Sequence, residues 1–157
     1  MLVAQRYLPL AAQLGQLAEP FLALAQQTKQ GNVILISALD SSEEFAGISK
    51  NAFAVGVYDE SIGFAIADYL NKKNTAEIGL ITNLQDPFTL LEKNAFKEKY
   101  KGKIQEENYT ADTKDFRSIL AKMASQENLV LLGWEETGRI VKQAAELGMK
   151  KQIIGID

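Results

Sequence analysis

The chain has 157 residues, of which 46% are hydrophobic and 24% charged, a composition that excludes a disordered polymer. Seventeen Lys and Arg stand against twenty Asp and Glu, a net charge of −3 that argues against nucleic-acid binding. With no Cys and no His, disulfides, thiol nucleophiles, a Ser-His-Asp triad and the common zinc sites are excluded as well.

The amino-terminal stretch is apolar but does not read as a membrane span. Leu8 to Ala25 contains Pro9, Gln13, Gln16, Glu19 and Pro20. Arg6 is the only basic residue before Lys29, and no compact apolar run ends in a small-residue cleavage site. An export signal is therefore not expected within this chain. Met1-Leu2-Val3-Ala4 reads as a strand or a first helical turn. Leu17, Phe21, Leu24 and Ala25 predict a helix ending at Gly31.

Val33-Ile34-Leu35-Ile36-Ser37 predicts a strand, and Ser41-Ser42-Glu43-Glu44 resembles a capping box for a short helix. Phe53-Ala54-Val55-Gly56-Val57 predicts a second strand. Ile62, Ala65, Ile66, Tyr69 and Leu70 make a helical face. From Glu77 onward the pattern is regular. Ile78 to Ile81, Leu129 to Leu132 and Ile153 to Ile156 predict buried strands, and the more polar Lys103 to Tyr109 an edge strand. Their starts lie about 25 residues apart, room for one crossover helix each time.

Phe116, Ile119, Leu120 and Met123 supply one such helix, starting near Asp115 and capped by Asp112 or Thr113. Ile140, Val141, Ala144 and Leu147 supply another. Gly102 and Gly148 fall just past helix ends, where a left-handed cap needs no Cβ. Lys97-Glu98-Lys99-Tyr100-Lys101 reads as a solvated helix end. The fold class is α/β, a parallel sheet with helices on both faces. No linker, repeat or low-complexity tract is present.

In an open parallel sheet, ligands bind outside the carboxyl ends of the strands. The residues at those places are Asp40, Ser41 and Ser42; then Asp86 and Phe88; then Gly133, Trp134 and Glu135; and finally Asp157. Asp40, Ser41, Ser42, Asp86, Glu135 and the neighbouring Glu136 are also what helix N-termini prefer. Phe88 and Trp134 also fit a core. Even so, the single Trp beside Gly133 is the most ligand-like feature, since an aromatic at a cleft lip covers aliphatic or cationic groups. Adjacent Glu135 and Glu136 make a poor glycosidase pair. The glycines match no phosphate loop, and no Lys follows the strand ending at Leu132, as a phosphoacceptor receiver would need. An enzyme is not expected.

In order, these motifs resemble the type I periplasmic binding proteins, most closely the branched-chain amino acid and amide group of ABC transporters. The resemblance rests on five pieces of sequence. They are Val33 to Ser37 with Asp40-Ser41-Ser42; Ser61-Ile62-Gly63 with Ala67-Asp68-Tyr69-Leu70; and Ile78 to Ile81 with Asp86-Pro87-Phe88. The others are Lys114-Asp115-Phe116-Arg117-Ser118-Ile119-Leu120, and Gln143 to Gly148 with Ile154-Gly155. The family has two complete lobes and is about twice this long, so the resemblance implies a fragment. Residues 1–58 would be a partial first lobe, and residues 59–157 a second lobe lacking its C-terminal strands.

The resemblance also implies a function. The intact protein would capture a small amino acid-like solute outside the cytoplasm, in the periplasm or at the cell surface. It would present that solute to the membrane subunits of an ABC importer, with no cofactor and no metal. Asp40, Ser41 and Ser42 map onto the turn that holds the ligand carboxylate. Phe88, Trp134, Glu135 and Asp157 map onto groups that cover its side chain and ammonium. Phe88-Thr89 stands where the family has Tyr-Gly, which removes the phenol hydroxyl. The alternative is a ligand-sensing domain of the same fold in a transcriptional regulator or receptor. Exposed edges near Val33–Ser37 and Phe53–Val57 predict self-association.

Overall fold

The computed structural model describes residues 18–37, 45 and 47–155, with side chains from residue 22 onward. The chain divides into two compact units, Met1–Tyr58 and Asp59–Asp157. The expected Met1–Ala4 element and the Ser41–Glu44 capping box lie outside the described residues.

In the first unit, helix α1 (Ala18–Gln27) is followed by strands β1 (Leu35–Ser37) and β2 (Ala52–Ala54). The strands pair in parallel with Ile36 opposite Phe53. The helix stops at Gln27, short of the predicted Gly31, because Thr28 turns its hydroxyl back to the Ala25 carbonyl at 2.7 Å. Asn51 then ties the turn down, donating to the carbonyls of Thr28 and Gly31. Both strands are shorter than predicted, since among the described residues each has one partner and the ladder ends with it. Val33, Ile34, Val55 and Val57 lie outside the strands and, with Ile36 and Phe53, are exposed.

The second unit holds α2 (Asp59–Lys72), β3 (Glu77–Asn83), α3 (Pro87–Lys99), β4 (Lys103–Tyr109), α4 (Arg117–Lys122), β5 (Asn128–Leu132), α5 (Glu135–Glu146) and β6 (Gln152–Gly155). The four strands form one parallel sheet in the order β4-β3-β5-β6. The α/β parallel architecture expected from the strand spacing is therefore present.

Strand side chains alternate between two cores. Ile78, Leu80, Val130 and Leu132 pack with Ile66, Ala67, Leu70, Phe96 and Tyr100 on the α2–α3 side. Ile81, Leu129 and Leu131 pack with Phe116, Leu120, Met123, Ile140 and Ala144 on the α4–α5 side. Helices on both faces explain why β3 is buried from Ile78 to Asn83. The polar β4 is an edge strand as expected. Its acids are matched from neighbouring helices: Lys93 and Lys97 reach Glu106, and Lys122 reaches Glu107. Burial pushes the Glu106 carboxyl up, but the two lysines outweigh it and hold the group below its ordinary value.

Several local expectations are corrected. The buried face of α2 is Gly63, Ile66, Ala67 and Leu70, while Ala65 and Tyr69 are exposed. Gly63 redirects the helix: a Cβ there would stand 2.2 Å from the Glu92 carbonyl oxygen, so only glycine lets α2 lie this close to α3. On α5, Ile140 and Ala144 are buried, but Val141 and Leu147 are exposed. Neither Asp112 nor Thr113 caps α4. The Arg117 amide donates to Asp115, and the Phe116 amide donates to Gln143 at 2.7 Å. Gly148 has the expected left-handed φ of 68°. Gly102 does not; it is required because a Cβ would collide with the Tyr100 hydroxyl. Tyr100 itself is buried and is no part of a solvated end.

A methyl group at residue 63 is expected to cost about 1–3 kcal/mol through overpacking. In urea unfolding, Gly63→Ala should therefore be clearly less stable, while Gly138→Ala, with open space around its added Cβ, should be neutral or stabilising. Equal midpoints for Gly63→Ala and the unsubstituted chain would contradict the close helix contact.

Candidate functional site

The strand order places a switch point between β3 and β5. The connection after β3 runs to β4 on one side of it, and β5 opens the other side. A crevice opens at such a point, outside the carboxyl ends of the strands. Two of the predicted segments meet there: Asp86 with Phe88 after β3, and Gly133 with Trp134 after β5.

Asp86 is the join. Its Oδ1 accepts from the Phe88 amide at 2.9 Å and so caps α3, whose first residue is Pro87. Its Oδ2 accepts from the Trp134 indole Nε1. The turn around it is closely bonded: Thr89 donates to the Asn83 carbonyl at 2.7 Å, and the Gln85 amide donates to the Asn83 side chain. Asp86 therefore has both its capping role and a role across the switch point. Phe88 is half-buried.

Trp134 is 55% exposed, which places the ring at the lip and not in the core. It precedes α5 with no side-chain cap; Thr137 turns back to its carbonyl at 2.7 Å instead. Glu135 and Glu136 occupy the first turn of α5, Glu135 exposed and Glu136 half-buried. Gly133 is needed beside Tyr109, because a Cβ there would stand 1.9 Å from the Tyr109 hydroxyl. Asp40, Ser41, Ser42 and Asp157 lie outside the described residues.

Three residues of this face were not singled out in the sequence. Tyr109 ends β4, is 4% exposed, and its hydroxyl has no partner among the described residues. Burial, then the charges of Glu136 and Asp86, push its phenol well above the ordinary value. Glu92, in the second turn of α3, is buried, and its Oε2 has no partner among the described residues. Burial, then the charges of Asp59 and Asp86, push this carboxyl up from 4.5 to about 8. Asp59, the first residue of α2, is buried too. Nothing local marks these residues; their burial follows from the approach of whole elements.

The segments after β3 and β5 are thus acidic, with Asp86 on the exposed indole and Glu135 and Glu136 following it directly in sequence. Such a surface attracts cationic or hydrogen-bond-donating groups and repels anions. No cluster of three metal-ligating side chains occurs among the described residues. An open groove of about 370 Å³ lies elsewhere, in the first unit, lined by Lys29, Lys50, Asn51 and Ile34 among others. It sits at the amino ends of β1 and β2, the wrong end for a ligand crevice in this type of sheet.

No family model and no curated relative matches the sequence. Solved structures do. The substrate-binding protein LivJ of a branched-chain amino acid transporter from Streptococcus pneumoniae, in complex with isoleucine, is 29% identical. That match covers 85% of this chain and 39% of that one, with a TM-score of 0.70. The chain has the type I periplasmic-binding fold. A periplasmic ligand-binding protein of a branched-chain amino acid ABC transporter from Burkholderia xenovorans, 18% identical, matches at a TM-score of 0.73 over 87% of this chain and 39% of its own. A solute-binding protein of an ABC transporter from Rhodopseudomonas palustris, in complex with 4-hydroxybenzoate, is 14% identical with a TM-score of 0.68, over 86% and 39%. The chain thus spans about two fifths of the length of these type I binding proteins.

The buried Glu92 sets a pH dependence whose sign is fixed. Between about 4.5 and about 8 the folded chain keeps a proton that the unfolded chain has lost. Stability from this group is complete below the unfolded value and declines as pH rises through that window. Melting temperature should therefore fall between pH 5.5 and 8, and the fall should be much smaller in Glu92→Gln, which should be the more stable protein at about pH 8. Parallel melting curves for the two proteins would show that Glu92 is ionised at neutral pH.

Proposed function

We propose that this chain forms part of an extracytoplasmic solute-binding protein of an ABC importer, which captures a small amino acid-like molecule and releases it chemically unchanged. The observation that carries this reading is Trp134, exposed at the sheet's switch point and tied to Asp86 across it. An amino acid offers an ammonium group to the acidic face and a side chain to the indole. Asp40, Ser41 and Ser42 are proposed to hold the solute carboxylate, and Glu135 and Asp157 to complete the acidic side with Phe88 and Gly133. Residues 1–58 then belong to the first lobe and residues 59–157 to the second. The periplasm or the cell surface is the matching location, and importer membrane subunits are the matching partners. No helix among the described residues is long and apolar enough to cross a membrane.

Affinity in such a site needs groups converging from both walls and water excluded between them. The chain spans about two fifths of its solved relatives, so the account predicts weak capture by this chain alone. Calorimetric titration of the 157-residue chain with L-leucine, L-isoleucine, L-valine and 4-hydroxybenzoate should give dissociation constants above about 1 mM. The solution mass should exceed that of a monomer, since Ile36 and Phe53 are uncovered. The longest polypeptide its gene encodes should bind one amino acid near about 1 μM and change the Trp134 emission. Micromolar binding by a monomer of the short chain would contradict the two-wall account. Failure of the longer polypeptide with every compound would contradict solute capture.

A further inference from the structure

Tyr109 ends β4 with 4% of its surface exposed, and its hydroxyl has no partner among the described residues. A phenylalanine would fill the same core without burying an unpaired hydroxyl, which is unfavourable. The ring packs edge-on against Phe116, with centroids 5.1 Å apart at an angle of 87°. The hydroxyl reaches Gly133. A Cβ on Gly133 would stand 1.9 Å from the hydroxyl oxygen but 3.2 Å from Cζ. The oxygen, more than the ring, therefore fills the space against the Gly133 backbone.

This contact joins three strand ends. The Tyr109 carbonyl accepts from the Leu84 amide at 3.0 Å, in the segment that leads from β3 to Asp86. The Tyr109 hydroxyl meets Gly133, which stands between the end of β5 and Trp134. Trp134 is bonded at two further points. Thr137 donates to its carbonyl through the amide at 3.0 Å and the hydroxyl at 2.7 Å, and Asp86 accepts from its indole. The Thr137 methyl group also closes on Gly133, 3.6 Å from where a Cβ would stand.

We propose that Tyr109 is a positioning residue for Trp134: its hydroxyl holds the Gly133 backbone where the indole reaches Asp86. Tyr109 acts through Gly133, and the unfavourable burial of its hydroxyl is offset by no bond because its role is to occupy space. The purpose of that placement rests on the proposed function, in which the indole faces the solute. The placement itself is measured without solute, so its failure and the failure of solute capture are separate results.

Trp134 is the only tryptophan, so the single indole N–H resonance of the full chain reports its bond to Asp86. Tyr109→Phe keeps the ring that packs on Phe116 and removes only the oxygen. It should stay folded by circular dichroism, yet its indole resonance should move upfield and exchange faster with water. Gly133→Ala should lower the melting temperature, because its methyl group meets the oxygen. In the Tyr109→Phe background the same change should lower it much less. A hydroxyl that served packing alone would leave the indole signal where it is. The proposal is overturned by an unchanged indole shift and exchange rate in Tyr109→Phe, or by a Gly133→Ala loss of the same size in both backgrounds.

Discussion

One carboxylate joins the two halves of the candidate site. Asp86 uses Oδ1 to close the first turn of α3 and Oδ2 to take the indole of Trp134. The first bond fixes where the helix after β3 begins. The second carries that position across to the segment after β5. Because β3 and β5 are adjacent but their connections lead to opposite sides, no other link between those two loops is built into the chain order. A capping residue thereby becomes the support of an exposed aromatic ring, at the place where open parallel sheets hold ligands.

The same place gathers negative charge at a cost. Buried carboxyls without cationic partners are unfavourable, and the ordinary response is to retain a proton. Glu92 does so, with its carboxyl raised to about 8, while Tyr109 keeps its phenol protonated beneath Gly133. The contrast lies one residue away. Lys93 points to β4 and satisfies Glu106, and that pair only steadies an edge strand. Among the described residues, the buried polar atoms left without partners belong to Glu60, Thr82, Glu92, Tyr109 and Glu136, and Thr82 and Tyr109 lie at the carboxyl ends of β3 and β4. Local rules of burial tend to be broken where a protein does its work.

Much of the second unit was legible because its signals are local and repeated. Apolar runs at Ile78, Leu129 and Ile153, with helical periodicity between them, leave little choice but a parallel sheet. The strand-end rule points to the segments after β3 and β5, where Asp86 accepts from the Trp134 indole. What escaped depends on distance relations that periodicity does not carry. The apolar face read on α2 included Ala65 and Tyr69, whereas a glycine, Gly63, marks the true contact. Glu92 and Tyr109 look like surface residues until α2 and Gly133 cover them. The predicted strands Val33–Ser37 and Phe53–Val57 overran because apolar β-formers continue past the point where a pairing partner exists. The resemblance to solute-binding proteins was readable from motifs in order, and the fold agrees with it.

The central claim is that Asp86 holds Trp134 across the switch point. A chain with one tryptophan gives one indole resonance in a proton–nitrogen correlation spectrum. The account predicts that below about pH 7 this resonance lies downfield of free indole and exchanges slowly with water. It also predicts that Asp86→Ala, folded by circular dichroism, returns both properties to those of an exposed indole. An identical shift and exchange rate in the two proteins would contradict it.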